Sequence, residues 1–87
     1  MAKVFVPALM RKLSNEEPVV DIPGKTLREV VNNLDDAYPG MKDLIIENGR
    51  VRPGLALAVD GVMSATGLMA KVPEDGEVHI LPAIGGG

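Results

Sequence analysis

Glu77-Val78-His79-Ile80-Leu81 runs directly into Pro82-Ala83-Ile84-Gly85-Gly86-Gly87, a strand-like segment followed by a thread that ends without side chains. Val78, Ile80 and Leu81 are β-branched or apolar, and the turn Glu74-Asp75-Gly76 precedes them, so the spacing predicts a strand. Pro82 stiffens the exit from that strand. Beyond it, glycine lets two backbones approach closely and removes the Cβ limit on φ. Six extended residues reach about 20 Å at 3.3–3.6 Å each. A flexible tail over 82–87 therefore suits one task, the delivery of a terminal carboxylate into another protein's narrow site. Ordering a free backbone costs about 1–2 kcal/mol per residue, so a docking surface on the folded body has to offset that cost. The plainer reading is a frayed chain end.

The 87 residues are predicted to form a single domain, 1–87, in which only about 60–65% of the unfolded surface is buried. The chain is 46% apolar with one Phe, one Tyr and no Trp, so its core is aliphatic. A net charge of −3 and the absence of a basic tract argue against nucleic acid. No apolar run approaches the roughly 20 residues that span a bilayer, and no signal peptide opens the chain, so a cytoplasmic protein without a membrane partner is expected. With no cysteine, disulfides, thiol catalysis and zinc-thiolate sites are excluded.

Lys3-Val4-Phe5-Val6-Pro7-Ala8-Leu9 reads as a strand with Val4, Val6 and Ala8 on one face, Pro7 marking an open edge or bulge. Residues 11–17 turn, and Val19-Val20-Asp21-Ile22 returns as an antiparallel partner. The helix carries the clearest signals. Thr26 and Glu29 form a capping box, Leu27, Val30, Val31, Leu34 and Tyr38 make one buried stripe, and Pro39-Gly40 stops it. Residues 41–46 suggest a short helical turn before Asn48-Gly49. Leu55-Ala56-Leu57-Ala58-Val59 is a strand with Leu55, Leu57 and Val59 toward the helix, and Asp60-Gly61 is a two-residue hairpin leading to Val62-Met63. Residues 66–71 form a turn region. The order β-β-α-β-β-β gives an α+β domain with the helix on one sheet face.

The same alternation sends Phe5, Ala56, Ala58 and His79 to the opposite face, where an apolar patch would mark a binding surface. With Pro82 at the root of the tail, these are the candidate partner-interface residues. His79 is the only histidine, and no orienting partner for a base is visible beside it, so a surface or interface role is expected. Asp35-Asp36 reads as a solvated helix face, since adjacent helical residues do not face each other. Arg50 and Arg52 read as solvated loop cations, with an acidic partner groove as the alternative, and the methionines as core filler.

The element order, with a strand running into Gly86-Gly87, resembles the ThiS/MoaD family of ubiquitin-like sulfur carriers. Val6-Pro7-Ala8-Leu9, Thr26-Leu27, Tyr38-Pro39-Gly40, Ala58-Val59-Asp60-Gly61, Asp75-Gly76-Glu77-Val78 and Leu81-Pro82-Ala83-Ile84 match in order over nearly the whole chain. The opening Val-Pro-Ala-Leu and the closing Leu-Pro-Ala are most similar to the carriers of cysteine biosynthesis. Gly85 stands where relatives often carry Ala or Ser. The resemblance implies a β-grasp fold, a mixed sheet of four to five strands with one long helix across one face. It implies a carrier rather than an enzyme. A separate E1-like activating enzyme adenylates the Gly87 carboxylate with ATP, and sulfur replaces AMP to give a thiocarboxylate. The sulfur then passes to a sulfur-accepting synthase of cysteine, molybdopterin or thiamin type, with Gly85 and Gly86 threading the tail. No cofactor is expected on the carrier itself. It lacks a Gly-x-x-x-x-Gly-Lys-Ser/Thr loop, and without cysteine the carried sulfur has only Gly87 to sit on. Two alternatives share this activation or this tail: a ubiquitin-like modifier joined through Gly87 to lysines, and a non-covalent small subunit that inserts its tail into a partner enzyme.

Overall fold

The computed structural model describes residues 1–63 and 67–82. The expectations for Thr66 and for the tail beyond Pro82, Gly85, Gly86 and Gly87 included, lie outside the described residues.

Thr26 sets the start of the principal helix, α1 (Leu27–Ala37). Its backbone is extended, and its hydroxyl accepts the N–H of Glu29 at 3.2 Å. The Glu29 carboxylate reaches back to the N–H of Lys25 at 3.1 Å, one residue before the cap, so two free N–H groups are satisfied. Leu27, Val30, Val31 and Leu34 are buried, and Tyr38 closes the helix half-exposed. Gly24 lets the chain pass close beneath it. A Cβ there would lie 2.8 Å from the Val30 backbone nitrogen, and φ of 150° already favours glycine. Gly40, at φ 102°, turns the chain into a second short helix, α2 (Met41–Ile45), which buries Met41 and Ile45 against the core.

The first strand is shorter than expected. β1 (Ala2–Phe5) pairs antiparallel with β2 (Val19–Ile22), from Ala2↔Ile22 to Phe5↔Val19. Past Phe5 only Val6 still bonds across, its N–H going to the Pro18 carbonyl at 2.8 Å. Pro7 has no N–H to continue the ladder, and Ala8–Met10 coils into a 3-10 turn that exposes Ala8 and buries Met10.

Two further strands add to the expected order. β3 (Ile46–Glu47) and β4 (Arg50–Val51) form a small ribbon around Asn48-Gly49, whose φ values of 54° and 76° suit a tight two-residue turn. β5 (Leu55–Val59) then turns at Asp60-Gly61, φ 51° and 84°, into β6 (Val62–Met63). The last strand, β7 (Glu77–Pro82), runs one residue further than its apolar pattern predicts.

The main sheet has the order β2-β1-β7-β5-β6. β7 lies in its centre, parallel to β1 and antiparallel to β5. The inner face of the sheet supplies Val4, Val20, Ile22, Leu57, Val78 and Ile80 to a core closed by α1 and α2, while Leu55 and Val59 are only partly buried against it. This is the β-grasp arrangement. No helix among the described residues is long and apolar enough to cross a membrane.

Candidate functional site

Strand register builds the face away from the helices. Phe5 is opposite Val19 on β2 and His79 on β7, His79 is opposite Ala58 on β5, and Ala58 is opposite Met63 on β6. A row of five side chains thus crosses the sheet, flanked by Leu81 opposite Ala56 one step along the strands. At its centre the Phe5 and His79 rings lie 4.1 Å apart between centroids and 5° from parallel. The stack follows from parallel pairing, which sets the two residues side by side on one face.

His79 does have an orienting partner. Its Nε2 lies 3.1 Å from Glu77 Oε1, two residues back on the same strand and therefore on the same face. Among the described residues, no third group extends this pair toward a reacting centre. The ring is braced between an aromatic face and a carboxylate, which fixes its orientation on the surface. Towards one end the face becomes charged. Glu77 neighbours Lys3, and Lys3 Nζ meets Asp21 Oδ1 at 3.3 Å.

Of the expected interface residues, Phe5, Ala56 and His79 are half-buried on this face. Ala58 has the expected side but not the expected exposure. It is only 4% exposed, because a single methyl lies between the bulkier His79 and Met63. Met63 and Leu81, 56% and 40% exposed, supply apolar surface beyond the expected set. Strand alternation is the signal that finds them, since Leu81 lies two residues on from His79 and Met63 one hairpin across from Ala58. Pro82 pairs with Leu55 at the root of the tail. The central strand thus ends at Pro82, beside the exposed row.

Other candidates resolve into structural roles. Asp35 is not merely solvated, for its Oδ1 accepts the N–H groups of Gly40 and Lys42 at 3.1 and 3.0 Å and fixes the start of α2. Arg52 braces the β3–β4 ribbon, donating to the Asp43 carbonyl at 2.9 Å and pairing with Glu47 at 3.4 Å. Among the described residues no group of His, Asp or Glu is arranged to hold a metal ion.

Comparison with known proteins places this geometry. The model of the ThiS family matches residues 4–87. No curated protein matches the chain. Among solved structures, the chain is similar to that of the complex of BexX and CysO from Amycolatopsis orientalis, with a TM-score of 0.93, 24% identity and all of both chains covered. It is similar to CysO from Mycobacterium tuberculosis, with a TM-score of 0.92, 22% identity, and 97% of this chain and 100% of that one covered. Small archaeal modifier protein 1 from Methanosarcina acetivorans gives a TM-score of 0.81 at 25% identity, over 99% of this chain and 95% of that one.

Proposed function

The chain belongs to the ThiS family, and from that premise we propose that it is a sulfur carrier whose reactive group is the Gly87 carboxylate. The observation that carries this reading is the family match itself, which runs through to Gly87 on a fold whose central strand leads straight into the tail. In this reading a carboxylate oxygen of Gly87 attacks the α-phosphorus of ATP on a separate activating enzyme, and pyrophosphate leaves. A sulfide equivalent supplied by the partner system then attacks the acyl carbon and expels AMP, leaving a thiocarboxylate. The carrier supplies no catalytic group to either step. ATP belongs to the partner, and Gly85 and Gly86 let the chain enter its channel with no Cβ to clash.

The outer row of Phe5, His79, Leu81 and Met63 is the surface on which the activating enzyme, and in turn the sulfur-accepting synthase, would dock. It is apolar, bordered by charge at Lys3, Asp21 and Glu77, and adjoins the root of the tail. The likeness to the two CysO structures favours a synthase of cysteine biosynthesis as the acceptor. Intact mass of the protein isolated from its own host tests the reading. An oxygen-to-sulfur exchange located on Gly87 is expected. A chain that supports no ATP–pyrophosphate exchange with any activating enzyme of its host would remove it.

The likeness to small archaeal modifier protein 1 favours a second reading, conjugation of Gly87 to lysines of other proteins. Both readings share the adenylation step. Branched Gly-Gly remnants on host proteins, without sulfur on Gly87, would select the modifier.

A further inference from the structure

Val6-Pro7-Ala8-Leu9 has no part in the carrier chemistry, yet it ends in the most exposed large apolar side chain among the described residues. Leu9 is 95% exposed, while Met10 beside it is buried in the core. A single surface leucine is ordinary and by itself says nothing. What distinguishes Leu9 is the bracing of the segment that holds it out. The Arg11 side chain folds back so that its Nε donates to the Val6 carbonyl at 3.0 Å, which closes the base of the turn. The Arg11 carbonyl accepts the N–H groups of Ser14 and Glu16 at 3.1 and 2.7 Å. Ser14 is fully buried, and its hydroxyl lies 2.8 Å from the Glu17 carbonyl and 3.2 Å from that of Arg11. Leu13 lies against Gly40, where an added Cβ would come within 3.3 Å of its Cδ1. Asn15 and Glu16, at φ 55° and 66°, are consecutive side-chain-bearing residues in the left-handed region, a conformation that persists only where its surroundings enforce it. The loop is pinned from within, with Met10 and Leu13 packed on the body and Leu9 left in water.

Its position follows from strand register. β1 and β7 run parallel with Phe5 level with His79. Pro7 is two residues beyond Phe5, and Leu81 is two beyond His79. The loop therefore leaves β1 at the end of the sheet where β7 reaches Leu81 and stops at Pro82. Leu81 of the outer row is itself exposed there, so Leu9 prolongs that row past the end of the strands. We propose that Leu9 is an anchor that seats in an apolar pocket of the activating enzyme. The proposal rests on the carrier reading. A partner that acts on the Gly87 carboxylate has to come up to the end of the sheet at which β7 finishes, and Leu9 meets it there. Pro7, Ala8 and Leu9 carry no charge, so the tip of the loop is dehydrated without stranding an ion. A loop already fixed in shape loses little freedom on docking, so burial of the leucine counts nearly in full toward affinity.

ATP–pyrophosphate exchange with the host's activating enzyme, run over a range of carrier concentrations, tests this on the full chain and on Leu9→Ala, Leu9→Asp and Leu9→Met. Leu9→Ala is expected to raise KM for the carrier about tenfold and leave kcat unchanged. A buried leucine side chain is worth at least that factor in affinity, and a docking contact acts on binding alone. Leu9→Asp should raise KM further, and Leu9→Met, which keeps an apolar side chain of similar size, should restore most of the loss. Thermal melting should stay the same in all three, because the side chain is already in water in the free protein. An unchanged KM in Leu9→Ala would overturn the proposal. So would normal exchange with slowed sulfur transfer to the accepting synthase, which would assign the leucine to that partner. Self-association of the full chain that Leu9→Asp dissolves would likewise overturn it, as a contact between copies. An unsubstituted chain that supports no exchange removes the carrier reading and this proposal with it, whereas failure of the proposal alone shows only in the variants.

Discussion

Phe5 makes a structural contact and, on the proposed reading, part of the docking surface, so truncation should affect both. Phe5→Ala removes the stack on His79, and such aromatic pairs contribute about 0.5–1.5 kcal/mol beyond area burial. For a domain of this size, about 1 kcal/mol lowers the melting temperature by roughly 4–8 °C. The expected outcome is a modest drop in thermal melting together with clearly weaker binding to the activating enzyme in titration calorimetry. A lower melting temperature with unchanged affinity would reassign the ring to packing alone. Glycine gives a sharper contrast between two residues of one type. Gly24→Ala forces a Cβ to within 2.8 Å of the Val30 backbone, and overpacking of this kind costs about 1–3 kcal/mol, so melting falls while activation persists in the folded fraction. On the carrier reading Gly86→Val should do the opposite, leaving melting unchanged and blocking ATP–pyrophosphate exchange, because a β-branched side chain adds bulk and narrows φ and ψ where the tail would thread the activating enzyme's channel. Exchange at the normal rate would mean that the channel is wide.

At the level of elements, the features legible in the sequence are those specified locally. The capping box of α1, the Asp60-Gly61 turn and the alternation of β7 each lie within a few residues and need no distant partner. Thr26→Ala should accordingly cost about 0.5–2 kcal/mol by orphaning the Glu29 N–H, a loss read by thermal melting with activation unaffected. Thr26→Ser, which keeps the acceptor, should restore most of it. The early end of β1 is less legible because it depends on where Val6 finds its carbonyl, and that is Pro18, twelve residues away. Asp35 reads as a solvent-facing acid in the sequence because its two N–H donors lie beyond its own helix, at the start of the next. The candidate site divides along the same line. Which side of the sheet Phe5, Ala56 and His79 face follows from alternation, whereas the covering of Ala58 depends on the bulk of residues on two other strands. The pairing of β1 with β7, on which the Phe5–His79 stack rests, is set by contacts between opposite ends of the chain. Such a pairing has no local signal, and only the family resemblance implies it.

For the molecule as a whole, the carrier reading divides the chain into an operating tail and a supporting body. Deletion of Gly86 and Gly87 should leave thermal melting as it was and abolish ATP–pyrophosphate exchange. A truncated chain that still exchanges would sever the reactive group from those glycines. The position of β7 bears on more than display of the tail. It is hydrogen-bonded on both edges, to β1 in parallel and to β5 over the five pairs from Leu55↔Pro82 to Val59↔Val78. Tension applied at Pro82 acts along the strand axis, so both ladders are sheared and their bonds must yield together instead of unzipping one by one. A machine that hauls on the chain at Pro82 therefore pulls against the strongest direction of the sheet, and the domain holds there as a firm handle.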